Sequence, residues 1–162
     1  MEIRKANEKD IDEIMNLSNY YIEKTVHTWQ RETRTRDYYE KWITDHKEKH
    51  PIFVGYSEGG FVGYGSLSPF RGVSGYDKIC ENSLYLAVNM QGKGYGKVIM
   101  QKLIDEAKRL GYWAMTAWID SENEFSIDFH KNFGFYEVGV MRKIGNKFGK
   151  RLSTYILQLD FK

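Results

Sequence analysis

The chain has 162 residues, with 24 Lys and Arg against 22 Asp and Glu and a formal net charge of +2. That length suits one domain spanning 1–162 with a real core, and that charge carries no strong electrostatic demand for nucleic acid. A single cysteine excludes an internal disulfide and fits a reducing, cytoplasmic setting; no apolar run resembles a membrane span or a leader peptide.

Ile3 to Ala6 reads as a short first strand, and Asn7 as a cap for a helix carrying Ile11, Ile14, Met15, Leu17, Ser18 and Ile22 on one face. A polar loop from Thr25 to Arg34 follows, with Trp29 inside it as either a local plug or a pocket wall. Thr35 caps a second predicted helix, through Tyr38, Tyr39, Trp42 and Ile43 to about Lys49. Residues 52–57 and 61–67 form a hairpin around Glu58-Gly59-Gly60, and 68–78 is a loop. Ser83 to Ala87 alternates as a strand, with Tyr85 and Ala87 on one face and Leu84 and Leu86 on the other. From Lys97 the period becomes helical through Ile99, Leu103, Ala107 and Leu110, with Gly111 as the stop. Trp113 to Ile119 is apolar nearly throughout and reads as a central strand buried on both faces. Asn123 caps a short helix over 124–132, which Gly134 ends. A strand over 135–141, a turn over Gly145–Gly149 and a last strand over 152–161 complete the chain. The basic residues Arg142, Lys143, Lys147, Lys150 and Arg151 cluster in that last hairpin and read as a solvated surface.

Between the Ser83–Ala87 strand and its helix lies Gln91-Gly92-Lys93-Gly94-Tyr95-Gly96-Lys97. Glycines feeding a helix N-terminus expose unpaired N–H groups at the positive end of the dipole, a place that suits a phosphate. The dinucleotide fingerprint fails, since its third glycine falls on Lys97 or Ile99. The P-loop fails too, because it needs Gly at Gln91 and Ser or Thr at Val98.

The remaining Gln91-x-x-Gly94-x-Gly96 resembles the turn with which the GNAT superfamily of N-acetyltransferases holds the pyrophosphate of acetyl-coenzyme A. Glu81-x-Ser83-x-Tyr85, Asn123-x-x-Ser126-x-x-x-His130, Gly134-Phe135 and Gln158-Leu159-Asp160-Phe161 extend the likeness over nearly the whole chain, to the phosphinothricin and methionine sulfoximine acetyltransferase branch. The resemblance implies an α/β fold: a mixed, mostly antiparallel sheet with two splayed parallel central strands and helices on both faces. It implies acetyl-CoA as co-substrate, a small amino-acid-like amine as acceptor and a homodimer. It carries the cofactor contacts onto Leu84, Tyr85, Leu86, Gln91, Gly92, Lys93, Gly94, Tyr95, Gly96, Lys97, Asn123, Ser126 and His130.

Acetyl transfer needs a neutral amine, and freeing an α-amine at pH 7 costs about 1 kcal/mol against about 4.6 for a lysine-like amine. One carboxylate is adequate help in the first case. Glu81 matches the branch's catalytic glutamate and shares a face with Tyr85, although a solvent-facing glutamate at a strand end would look the same. The Leu86 N–H is the expected donor to the thioester oxygen as charge develops there. His130 is either an acid for the leaving thiol or a structural helix histidine. Arg71 falls where the branch has a basic residue able to bind a substrate carboxylate, beside Phe70, and Trp29 where it has an aromatic pocket residue. The sequence departs from the branch at Phe148, Arg151, Leu152 and Ser153, which puts phosphinothricin itself in doubt as a substrate. No metal is expected, since His27, His46, His50 and His130 lack ligand spacing. The rival readings are a protein, peptide or polyamine N-acetyltransferase, and a non-catalytic binding module for acyl-CoA or nucleic acid.

Overall fold

The structure is a computed structural model, and it describes residues 1–46 and 48–161. Strands β1 (Glu2–Lys5), β2 (Ile52–Ser57), β3 (Gly60–Pro69), β4 (Ile79–Leu86), β5 (Ala114–Asp120), β6 (Tyr136–Lys147) and β7 (Lys150–Asp160) make one sheet in the order β1-β2-β3-β4-β5-β7-β6. Every neighbouring pair is antiparallel except β4 with β5. Helices α1 (Ile11–Lys24) and α2 (Arg36–Asp45) cover one face; α3 (Tyr95–Arg109) and α4 (Glu124–Lys131) cover the other. The expected mixed, mostly antiparallel architecture is therefore the one found.

Alternation along the strands assigns the two cores. Ile52, Val54, Tyr64, Tyr85 and Ala87 pack with Ile11, Ile14 and Leu17 of α1. Phe53, Leu67, Cys80, Met115, Ala117 and Ile119 pack with Met100, Leu103 and Ala107 of α3. The entry to α1 is fixed by Asp10, which is fully buried and accepts from both Arg4 nitrogens (2.7 and 2.8 Å), the Asn7 N–H (2.8 Å) and the Tyr56 hydroxyl (2.8 Å). Burial alone would raise its pKa. The hydrogen bonds from Arg4, Asn7 and Tyr56 outweigh that and hold the carboxyl below its ordinary range.

Several boundaries differ from the sequence reading. The second helix ends at Asp45 rather than near Lys49, and Lys47 lies outside the described residues. The third begins at Tyr95, two residues early, because Gly94 takes the left-handed conformation and serves as its cap. Trp113 precedes β5 and is 68% exposed; its backbone pairs with Lys78 and Phe161, but no helix covers its side chain. The last hairpin turns at Phe148-Gly149 alone, with φ of 50 and 72°, as a two-residue hairpin loop requires. Gly145 is strand, and it is glycine for another reason: a Cβ there would lie 2.6 Å from the Trp29 ring.

Candidate active site

The parallel pair β4–β5 is short. Its register is Ile79 with Ala114, Cys80 with Met115 and Glu81 with Thr116, and there it stops, although β4 runs on to Leu86 and β5 to Asp120. The two strands part just beyond Glu81. Asn82 pins the fork: its Nδ2 donates to the Thr116 carbonyl (3.0 Å) while its Oδ1 meets His130 Nε2 of α4 (3.1 Å).

Past the fork, β4 has one edge free. The Ala87 N–H donates to the Val62 carbonyl at 2.9 Å. In an antiparallel ladder the bonding direction alternates. Tyr85, Ser83 and Glu81 therefore turn their N–H groups to β3, while Leu84 and Leu86 turn theirs toward β5, beyond the last β4–β5 pair. The Leu86 carbonyl accepts from the Tyr21 hydroxyl (2.8 Å), and that hydroxyl in turn accepts from Gln91 Nε2 (2.9 Å). The glutamine of the turn is thus tied through α1 to the end of β4.

The turn leads straight into α3. Gly94 has φ of +82°, caps the helix without a side-chain bond, and leaves the first-turn N–H groups to the exterior. A Cβ at Gly92 or Gly94 would meet nothing within 4 Å, so the approach is open. No acidic residue occupies the first turn, and Lys93 and Lys97 are exposed beside it. Gly96 lets α3 sit close to β4, since a Cβ there would lie 3.3 Å from the Leu86 side chain. These residues fit a pyrophosphate, and the free β4 edge fits the amides of an extended arm.

Glu81 stands at the fork on the α1/α2 face. It is half-buried, and it has no side-chain hydrogen-bond or ion-pair partner among the described residues. Burial raises its carboxyl above the ordinary range. Cys80 points to the opposite face, fully buried, with its thiol pushed up to about 12 by burial. A nucleophilic role for Cys80 has no support.

Beside Glu81, on the same face, lies a cavity of about 190 Å³. Ser66, Ser68, Ser83 and Tyr85 of β3 and β4 form its floor; Ser68 is the cross-strand neighbour of Glu81. Its roof comes from α1, α2 and the loop between them, including Thr28, Gln30, Arg34 and Tyr38.

The other expected site residues fall as follows. Asn123 caps α4, accepting from the Ser126 N–H (3.1 Å), and its Nδ2 meets His27 Nδ1 of the α1–α2 loop (3.1 Å). His130 is 5% exposed, and both its nitrogens face oxygens: the Ser126 carbonyl (2.7 Å) and Asn82 Oδ1. Burial lowers its pKa, partly offset by the Ser126 bond. These contacts hold α4 to the fork; a neutral imidazole donates to only one of the two oxygens, its tautomer deciding which. Trp29 packs on Gly145 and does not line the cavity. Phe70 meets Tyr76 and Trp118, and Arg71 is exposed with its guanidinium 5.3 Å from the Phe70 ring centre.

Two residues escaped the sequence reading. Trp118 and Asp120 share the Glu81 face of β5 by register with Thr116, and both carry a buried polar atom without a partner among the described residues: Trp118 Nε1 and Asp120 Oδ2. An apolar strand gave no sign of them, because lack of a partner is a property of the assembled neighbourhood.

Comparison with known proteins agrees with this geometry. Residues 3–155 match the family model described as an acetyltransferase (GNAT) domain. An L-amino acid N-acyltransferase of Escherichia coli (strain K12) is 32% identical over 161 residues, covering 99% of this chain and 94% of the relative. An L-methionine sulfoximine/L-methionine sulfone acetyltransferase of Salmonella typhimurium is 33% identical, with the same coverage. A solved Salmonella typhimurium acetyltransferase with its cofactor acetyl-CoA superposes with a TM-score of 0.95 at 33% identity, over 99% of this chain and 93% of that one.

Proposed function

The chain belongs to the GNAT acetyltransferase family, and from that premise we propose that it transfers the acetyl group of acetyl-CoA to the primary amine of a small amino-acid-like acceptor. The observation that carries the proposal is the fork: an unpaired, half-buried Glu81 beside a β4 edge whose free N–H groups lead into a glycine-capped helix N-terminus. The names of the relatives, which are amino-acid acyl- and acetyltransferases, support the acceptor class.

In this reading the Gln91–Lys97 turn holds the pyrophosphate and Leu84 and Leu86 hold the pantetheine arm. Acetyl-CoA, when bound, supplies an activated thioester. Glu81 takes the proton from the acceptor ammonium, directly or through a water. The Leu86 N–H donates to the carbonyl oxygen as charge develops on it. Asn123 and Ser126 shape the far side of the cofactor cleft, and His130 holds that side to the fork. Phe70 and Arg71 stand at the acceptor's entrance, where Arg71 is available to a carboxylate, and Trp29 braces the loop over it. A single catalytic domain, a cytoplasmic setting and a homodimer belong to the same proposal. The homodimer rests on the resemblance and on a row of exposed apolar side chains along the last hairpin, Val138, Ile144 and Phe148; a monomer in sedimentation would remove it.

The test is thiol release from acetyl-CoA across a panel of amino acids, methionine sulfoximine, polyamines and short peptides. Release with α-amino acids is expected. Release confined to peptides or polyamines would overturn the acceptor class, and binding of acetyl-CoA with no release from any amine would overturn catalysis.

A further inference from the structure

The cavity beside Glu81 has an electrostatic asymmetry. Among the described residues Arg34 is the one charged side chain in its lining; the others are hydroxyls, a glutamine, aromatics and Ile22. Its guanidinium has no carboxylate partner among the described residues. It lies 4.2 Å from the Tyr38 ring centre, and it bonds the Tyr38 hydroxyl and Gln30 Oε1 (3.0 Å). Those bonds use two of its five N–H donors. The backbone beneath it is clamped by Asn19, which donates to the Arg34 carbonyl and accepts from the Arg34 N–H, both at 3.0 Å. A guanidinium held by neutral groups and pointed into a small polar cavity is arranged to receive an oxyanion.

We propose that Arg34 is a specificity-determining residue that binds a second anionic group, at the end of the acceptor remote from its amine. The acceptor class is then an amino acid with an acidic side chain. This rests on the acetyltransferase reading and refines it. The amine belongs at the fork by Glu81, whose cross-strand neighbour Ser68 lines the floor with Ser83, while Arg34 belongs to the roof. The volume of about 190 Å³ falls below the ~300–1,000 Å³ of sites for drug-sized ligands. A cavity of that size suits a molecule as small as an amino acid, whereas a polyamine would bring a cation to Arg34. The role differs from that of Arg71, which is exposed at the entrance and stacks on Phe70.

The experiment compares matched acceptors, glutamate with glutamine and aspartate with asparagine, by steady-state thiol release from acetyl-CoA. Wild type is expected to favour the acid of a pair by tenfold or more in kcat/KM. Arg34→Gln is expected to raise KM for the acid and bring the ratio toward one, with Arg34→Lys in between. Equal use of acid and amide by wild type, or an equal loss for both in Arg34→Gln, overturns the proposal. Glutarate, which has the two carboxylates and no amine, supplies a readout independent of turnover. Calorimetric binding to wild type but not to Arg34→Gln supports the anion site even if no amine is acetylated. No binding of glutarate to wild type counts against it. Absence of thiol release from every amine would instead mark the failure of the acetyltransferase reading.

Discussion

Glu81 is set apart by what its surroundings lack. No arginine, lysine or N–H among the described residues stabilises its charge, and burial raises its pKa. A carboxylate so placed takes a proton more readily than one paired like Asp10. Its conversion to Gln is expected to cut kcat by about 10²–10⁴-fold, the usual worth of a general base, with acetyl-CoA affinity little changed. The wild-type rate is expected to fall in acid through a pKa above the ordinary glutamate range, and this limb should vanish in Glu81→Gln. A variant that turns over like wild type would remove Glu81 from the chemistry. The residue's face was legible in the sequence, since period-two alternation puts Glu81 with Tyr85. Its isolation was not, because that depends on what β3, β5 and the roof fail to bring near it.

At the scale of elements, the last hairpin and the α1–α2 loop form one unit. Trp29 lies over Gly145, and the Lys147 side chain, 1% exposed, donates to the Thr28 carbonyl at 2.7 Å. Thr28, Gln30 and Arg34 of that loop line the cavity, so the hairpin supports the roof. Gly145→Ala forces Trp29 to move and is expected to cost about 1–3 kcal/mol, read as a lower thermal midpoint. An unchanged midpoint would mean that the loop rides free of the hairpin. The sequence placed a turn at Gly145 because glycine usually signals one. Here its left-handed freedom is unused, and the constraint comes from a tryptophan more than a hundred residues away in the chain. Lys147 misled in the same way: in a basic cluster it reads as solvated, yet it is buried. The third helix was legible almost to its ends, because helical period and glycine stop are local signals.

For the whole molecule, three histidines set the acid response. Burial lowers the pKa of His46, His50 and His130. The unfolded chain therefore binds more protons than the folded one below their ordinary value of about 6.5, and stability is lost as pH falls through that window. Glu81, with its raised pKa, acts in the opposite sense, contributing stability at low pH that is lost as pH rises through its folded pKa. Asp10 and Glu106, whose carboxyls their arginine partners hold below the ordinary range, act with the histidines at lower pH; the thermal midpoint is expected to hold from pH 8 to 7 and to fall below about 6.5. His130→Asn should shallow that fall. A midpoint that rises on acidification from 7 to 6 would show that Glu81 or other groups dominate.

The sequence by itself determined the element order, the glycine turn ahead of α3, the family resemblance and the face on which each β4 side chain lies. These are written in neighbouring residues, through periodicity, glycine placement and capping. Only the tertiary structure decided where β4 and β5 part, that His130 sits between the Ser126 carbonyl and Asn82, that Trp29 lies against the last hairpin, and that Arg34 is the cation among the described residues lining the cavity beside Glu81. Each of those depends on which distant groups meet or fail to meet, and burial and pairing are properties of the packed neighbourhood rather than of the local chain.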